Sequence, residues 1–115
     1  VKPKFGISTP EAYKAYSLLK EKTEANINRV VEGLKENNLE KVIENIENHL
    51  QQSSYHLNDK TKKFEERLEK ISKNFKMSGS GSCYYLLTGK DNSQKLYEKM
   101  KSEFSDCFIS LVDFI

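Results

Sequence analysis

Phe75-Lys76-Met77 leads into Ser78-Gly79-Ser80-Gly81-Ser82, and Cys83-Tyr84-Tyr85-Leu86-Leu87-Thr88 leads out of it, ending at Gly89. The flanking runs read as strands, the second rich in aromatic and aliphatic residues, so the pair reads as a hairpin. A plain hairpin needs only two or three turn residues, and here five Ser and Gly residues stand between the strands. Glycines there permit positive φ and close approach to a ligand, successive N–H groups in such turns form a nest for an anion, and the serine hydroxyls add donors. Gly/Ser composition is equally that of a flexible connection. On composition alone the two readings stand level.

Upstream of this segment the pattern is helical. Val1 to Phe5, with Pro3 inside it, reads as an edge strand ended by Gly6, and Ser8-Thr9-Pro10-Glu11 is a helix start, because a Ser or Thr hydroxyl caps free N–H groups and Pro fits the first turn. The first helix is expected over 10–20. Ile27, Val30, Val31 and Leu34 give a second, in which Gly33 is a tolerated flaw and Asn37-Asn38 the stop. Val42, Ile43, Ile46 and Leu50 give a third over 39–52, and Phe64, Leu68 and Ile71 a fourth over 60–73, after a turn between Ser53-Ser54 and Asn58-Asp59. Downstream, Leu96, Met100 and Phe104 predict a helix over 92–104, and 107–115 a last apolar strand. The order strand, helices, strand, strand, helix, strand is α+β. It is that of a ferredoxin-like sandwich: a four-stranded antiparallel sheet with extra helices in the first crossover.

At 115 residues the chain suits one domain. Nineteen Lys and Arg against 17 Asp and Glu leave a formal charge of +2, with both signs interleaved, which excludes the one-sided basic face of a nucleic-acid binder. No stretch approaches the roughly 20 apolar residues of a membrane span, and no signal peptide is visible, so a cytoplasmic location is expected. Cys83 and Cys107, in strand-like runs, read as reduced core thiols. The chain opens on Val1 rather than Met and reads as a piece of a longer protein.

Two phosphate motifs fail to fit the loop. Gly89-Lys90 is followed by Asp91 without the upstream glycine of a Walker loop, and Tyr84 stands where a dinucleotide fingerprint needs its third glycine. Lys76-Met77-Ser78-Gly79-Ser80-Gly81-Ser82 resembles instead the third motif of the GHMP small-molecule kinases, in the Met-Ser/Thr-Gly-Ser-Gly-Ser/Ala form of the cytidyl-methylerythritol kinases. Pro3 and Gly6-Ile7-Ser8-Thr9-Pro10-Glu11-Ala12-Tyr13 look like the stretch that opens the C-terminal domain of the same kinases, and Asn48-His49-Leu50-Gln51 is a fainter echo of their Asn-Asp-Leu-Glu, departing at His49 and Gln51.

The resemblance implies a C-terminal domain of that family, whose partner is its own N-terminal domain. That domain carries the main ATP loop, most of the ATP and Mg2+ binding, and the catalytic Asp and Lys. No catalytic or metal-ligating residue is then expected here. Ser78, Gly79, Ser80, Gly81 and Ser82 inherit a place beside the phosphates in the cleft, and Thr9 a cleft-lining role, although a helix cap explains Thr9 as well. The implied activity is ATP-dependent phosphorylation of the 2-hydroxyl of 4-diphosphocytidyl-2-C-methyl-D-erythritol, with this piece inactive alone and mevalonate or homoserine as alternative substrates. A free-standing ferredoxin-like ligand-binding or regulatory module is the rival from another class. Lys76 reads as solvated and at least one of Tyr84 and Tyr85 as core; His49 and His56, seven apart across a helix break, read as surface or packing residues rather than metal ligands.

Overall fold

The computed structural model describes residues 1–19, 26–51 and 59–113. Lys20 at the expected end of the first helix, Gln52, the turn with His56, and residues 114–115 lie outside the described residues.

Helix α1 runs Thr9–Ser17, and its N-cap is Ser8, whose hydroxyl accepts the Glu11 N–H. Thr9 is therefore inside the helix and free of capping duty. Helices α2 (Ile27–Lys35) and α3 (Leu39–Asn45) form a hairpin capped by asparagines: Asn26 Oδ1 accepts from the Arg29 N–H at 3.2 Å and Asn38 Oδ1 from the Lys41 N–H at 3.1 Å. Lys41 ties the two helices by ion pairs to Glu32 at 3.1 Å and Glu36 at 3.3 Å. Gly33 is no flaw. A Cβ there would lie 2.9 Å from Val42 Cγ2 and 3.0 Å from the Val42 nitrogen, so the close approach of α3 requires glycine. The apolar stripe of α2 is left facing outward, with Ile27 69% and Leu34 66% exposed.

Helix α3 stops seven residues before the expected end at Gln52. Ile46 turns to extended backbone (φ −70, ψ 133), although neither Gly nor Pro interrupts the apolar period. Helix α4 (Asp59–Glu69) turns Thr61, Phe64, Glu65 and Leu68 inward, and helix α5 (Lys90–Glu103) contributes Met100.

The antiparallel pair β1 (Lys76–Met77) and β2 (Tyr84–Tyr85) puts Lys76 opposite Tyr85 and Met77 opposite Tyr84. Beyond β2 the pairing thins to single residues. Val1 and Tyr84 exchange main-chain bonds at 2.7 and 2.8 Å, and Lys2 and Phe108 exchange another pair at 2.8 and 2.9 Å. The described residues thus form a two-stranded sheet with two flanking contacts, where a regular four-stranded antiparallel sheet was expected. The reason is local. Pro3 has no N–H to extend the ladder, and the Phe5 carbonyl is taken by the Ser82 hydroxyl.

The core lies between this sheet and α4 and α5: Leu50, Phe64, Leu68, Met77, Tyr84, Met100 and Phe104. Phe64 sits at its centre, with ring centroids 6.1 Å from Phe5, 5.6 Å from Tyr84 and 5.9 Å from Phe104. Such edge-on and tilted geometries are the favoured ones for aromatic pairs. No helix among the described residues is long and apolar enough to cross a membrane.

Candidate functional site

The glycine loop 78–82 hangs between β1 and β2 and is fastened on three sides. At its base Ser78 N–H donates to the Cys83 carbonyl at 2.8 Å, and Gly81 N–H turns back to the Ser78 carbonyl at 3.2 Å. On the side of the N-terminal segment, the Ser82 hydroxyl donates to the Phe5 carbonyl and Ile7 packs on Gly81. Gly81 has φ +94, and a Cβ there would meet Ile7 Cδ1 at 2.7 Å and Met77 Sδ at 2.9 Å. Only glycine satisfies both the backbone and the space. One turn further on, Thr9 Oγ1 and Ser80 Oγ share a hydrogen bond of 2.8 Å, spanning 71 residues of sequence.

The third fastening comes from the segment after α3. Asn48 Nδ2 donates to the Met77 carbonyl at 2.6 Å and to the Gly79 carbonyl at 2.7 Å, and Gln51 Oε1 accepts the Met77 N–H at 3.1 Å. This is why α3 ends early. Extended backbone at Ile46 carries Asn48 to the loop, where its amide covers two carbonyls at once.

All six residues singled out from sequence, Thr9 and Ser78 to Ser82, therefore come together at one ledge. Ser82 is buried and serves the fold through Phe5; Ser78 and Gly79 are exposed, and Ser80 is half-buried. The capping explanation for Thr9 falls to Ser8, and the Thr9 hydroxyl goes to the loop. Asn48 and Gln51 had only a faint sequence echo, and Ile7 had none beyond its place in the opening stretch.

The neighbouring readings divide. Tyr84 is core, 1% exposed, with its hydroxyl donating to Glu65 Oε1, while Tyr85 is half-buried and burial pushes its phenol above the ordinary range. Cys83 is exposed, not a core thiol, because it stands at the hinge between loop and strand; Cys107 is half-buried, and burial followed by the nearby Asp106 carboxylate lifts its thiol. Both are free. His49 stacks on Tyr16 with centroids 5.9 Å apart and planes 5° from parallel, a packing role.

The ledge is open rather than enclosed. A concavity of about 380 Å³ lies elsewhere, between Pro3 to Phe5 and α4, where Arg67 pairs with Asp106 at 3.2 Å and lies over the Phe104 ring. The ledge offers main-chain N–H groups and hydroxyls, with no carboxylate among residues 76–82 or at Thr9. Such N–H and O–H donors suit phosphate oxygens.

The family model described as GHMP kinases C terminal matches residues 30–106. The chain belongs to the GHMP kinase C-terminal family. The matched span takes in Asn48, Gln51 and the whole glycine loop, while Thr9 precedes it. As a GHMP kinase C-terminal domain the chain is α+β, with its short sheet backed by helices. It is similar to proteins named 4-diphosphocytidyl-2-C-methyl-D-erythritol kinase: 34% identical over 85% of the chain to that of Fusobacterium nucleatum, 35% over 96% to that of Thermoanaerobacter pseudethanolicus, and 31% over 96% to that of Clostridium novyi. The chain spans 34%, 39% and 40% of the length of these relatives. No solved structure matches.

Proposed function

We propose that this GHMP kinase C-terminal domain forms one wall of the cleft of an ATP-dependent alcohol kinase acting on 4-diphosphocytidyl-2-C-methyl-D-erythritol. The observation that carries the reading is the Thr9–Ser80 bond, which joins two family motifs 71 residues apart at the rim of a loop that offers N–H groups at Gly79 and Ser80 without a partner among the described residues. Donors held rigid before a phosphate arrives stabilise its charge without reorganising, and positioning with charge stabilisation makes up most of phosphoryl-transfer catalysis. In this role the N–H groups of Gly79 and Ser80 and the hydroxyls of Ser78 and Ser80 meet phosphate oxygens. Ser82 and Gly81 keep the loop in place, and Thr9 orients the Ser80 hydroxyl.

In this reading ATP with Mg2+ supplies the transferred phosphoryl group and is bound mainly by an N-terminal domain of the whole protein. The reading extends the single-residue pairs of Val1 with Tyr84 and Lys2 with Phe108 to a four-stranded ferredoxin-like sheet in the whole, cytoplasmic enzyme.

The test is a coupled assay of ADP release by the full-length protein, given a panel that includes 4-diphosphocytidyl-2-C-methyl-D-erythritol, mevalonate and homoserine. Turnover of the first is expected, with none by residues 1–115 alone. Preference for another alcohol would overturn the substrate, and turnover by the isolated piece would overturn the division of labour between domains.

A further inference from the structure

We infer that Asn48 is a positioning residue that sets the hydrogen-bond polarity at the base of the glycine loop, turning the Met77 and Gly79 carbonyls inward and leaving the Gly79 and Ser80 N–H groups for an anion. The inference rests on the proposed phosphate-facing role of the loop and adds the group that creates it. A loop of mixed peptide units presents carbonyls and N–H groups alike, and carbonyl oxygens repel an anion as surely as N–H groups attract it. Three of the acceptors are taken up, while the Ser80 and Gly81 carbonyls have no partner among the described residues. The Met77 and Gly79 carbonyls accept both bonds of the Asn48 amide, at 2.6 and 2.7 Å, and the Ser78 carbonyl accepts the Gly81 N–H at 3.2 Å. The N–H groups of Gly79 and Ser80 have no partner among the described residues.

The orientation of the Asn48 amide is itself determined. Its Oδ1 accepts the Leu50 N–H at 3.0 Å, so Nδ2 must be the atom that faces the two carbonyls. Gln51 adds a second hold, accepting the Met77 N–H at 3.1 Å at the mouth of the loop. An aspartate at position 48 keeps the shape and the bond from Leu50 but offers a negative oxygen to two carbonyls. The loop must then turn those carbonyls away, toward the anion's place.

The experiment uses the full-length protein with Asn48→Asp and Asn48→Ala, and inorganic pyrophosphate as the probe. Amide chemical shifts of Gly79 and Ser80 are followed by NMR, which reads this loop even where pyrophosphate also binds elsewhere. Wild type is expected to shift at both amides. Asn48→Asp is expected to weaken that response about tenfold or more, and Asn48→Ala by less, with thermal unfolding of the alanine variant retained as the check on folding. In kinetics the aspartate variant is expected to lower kcat more than it raises the alcohol's KM, a split that mere loosening of the fold does not give. Absence of a wild-type shift at Gly79 and Ser80, or variants that titrate like wild type, overturns the inference. A wild type that shows the Asn48-dependent shifts but phosphorylates no alcohol supports the polarity argument and refutes the kinase reading.

Discussion

Replacing Gly81 by alanine tests whether the loop is built by close packing or only by backbone freedom, because Gly79 supplies an internal control. Both glycines have positive φ, +94 at Gly81 and +57 at Gly79, so each alanine substitution carries a backbone cost of about 1–2 kcal/mol. They differ in what the new methyl meets. At Gly79 nothing lies within 4 Å, whereas at Gly81 it meets Ile7 Cδ1 at 2.7 Å and Met77 Sδ at 2.9 Å, both on residues packed with the core. Overpacking of that kind adds about 1–3 kcal/mol, so Gly81→Ala is expected to cost about 2–5 kcal/mol in all. The assay is urea unfolding, comparing midpoints at unchanged slope. Ile7→Val removes the nearest atom, and combined with Gly81→Ala it is expected to recover about 1 kcal/mol relative to additivity. Equal costs for the two alanine substitutions, or an additive double variant, would refute the packing argument and leave the loop as a flexible connection.

Phe64→Ala opens the centre of the aromatic cluster and is expected to cost about 3–5 kcal/mol, read from the same urea titrations; a cost below about 1 kcal/mol would mean the core is centred elsewhere. Thr9→Val deletes the bond to Ser80 while keeping the volume, and is expected to cost about 0.5–1.5 kcal/mol and to raise the exchange rate of the Gly81 amide, which is bonded to the Ser78 carbonyl within the loop, with unchanged exchange counting against a structural bond. The hydrogen bond from Arg67 holds the Asp106 carboxyl below its ordinary value of 3.8. A folded value below the unfolded one means that the contribution is present at neutral pH and lost as pH falls through the folded value, so Asp106→Asn is expected to flatten the stability profile below about pH 4. The pair is exposed, and added salt is expected to shrink the difference; a profile identical to wild type at low salt would show the pair to be inert.

Local features were legible wherever a short window contains the cause. Asparagine at 37 and 38 marks a helix boundary because its side chain competes with the backbone at caps, and Asn38 caps α3. Phe64 and Leu68 mark the inner face of α4 because helical spacing alone decides which side they share. The same logic found α2, whose Ile27, Val31 and Leu34 have the right period, but a period identifies a face without saying what covers it, and Ile27 and Leu34 lie exposed. Gly33 was misjudged for a related reason, since its value lies in Val42, a neighbour on another helix. Strand-like composition from 107 onward also overstated the sheet. With Pro3 in the partner segment, only Lys2 and Phe108 pair there among the described residues.

The candidate site divides along the same line. Its glycines announce themselves, because positive φ and close approach leave few other residues admissible, and that made the Ser/Gly loop and its family resemblance readable. What makes the loop more than a flexible connection is polar and distant: Thr9 reaching Ser80, Ser82 reaching Phe5, and Asn48 reaching Met77 and Gly79. The periodicity of Val42, Ile43, Ile46 and Leu50 argues for one continuous helix through Asn48, and a continuous helix would satisfy the local backbone fully. The chain gives up those helical bonds, and one side-chain amide then covers the Met77 and Gly79 carbonyls. A contact of that kind stabilises the loop and the ledge together, and its logic exists only once residues 48 and 79 are neighbours. The faint echo at Asn48 to Gln51 was the one trace of it in the sequence, and its meaning came from the loop it fastens.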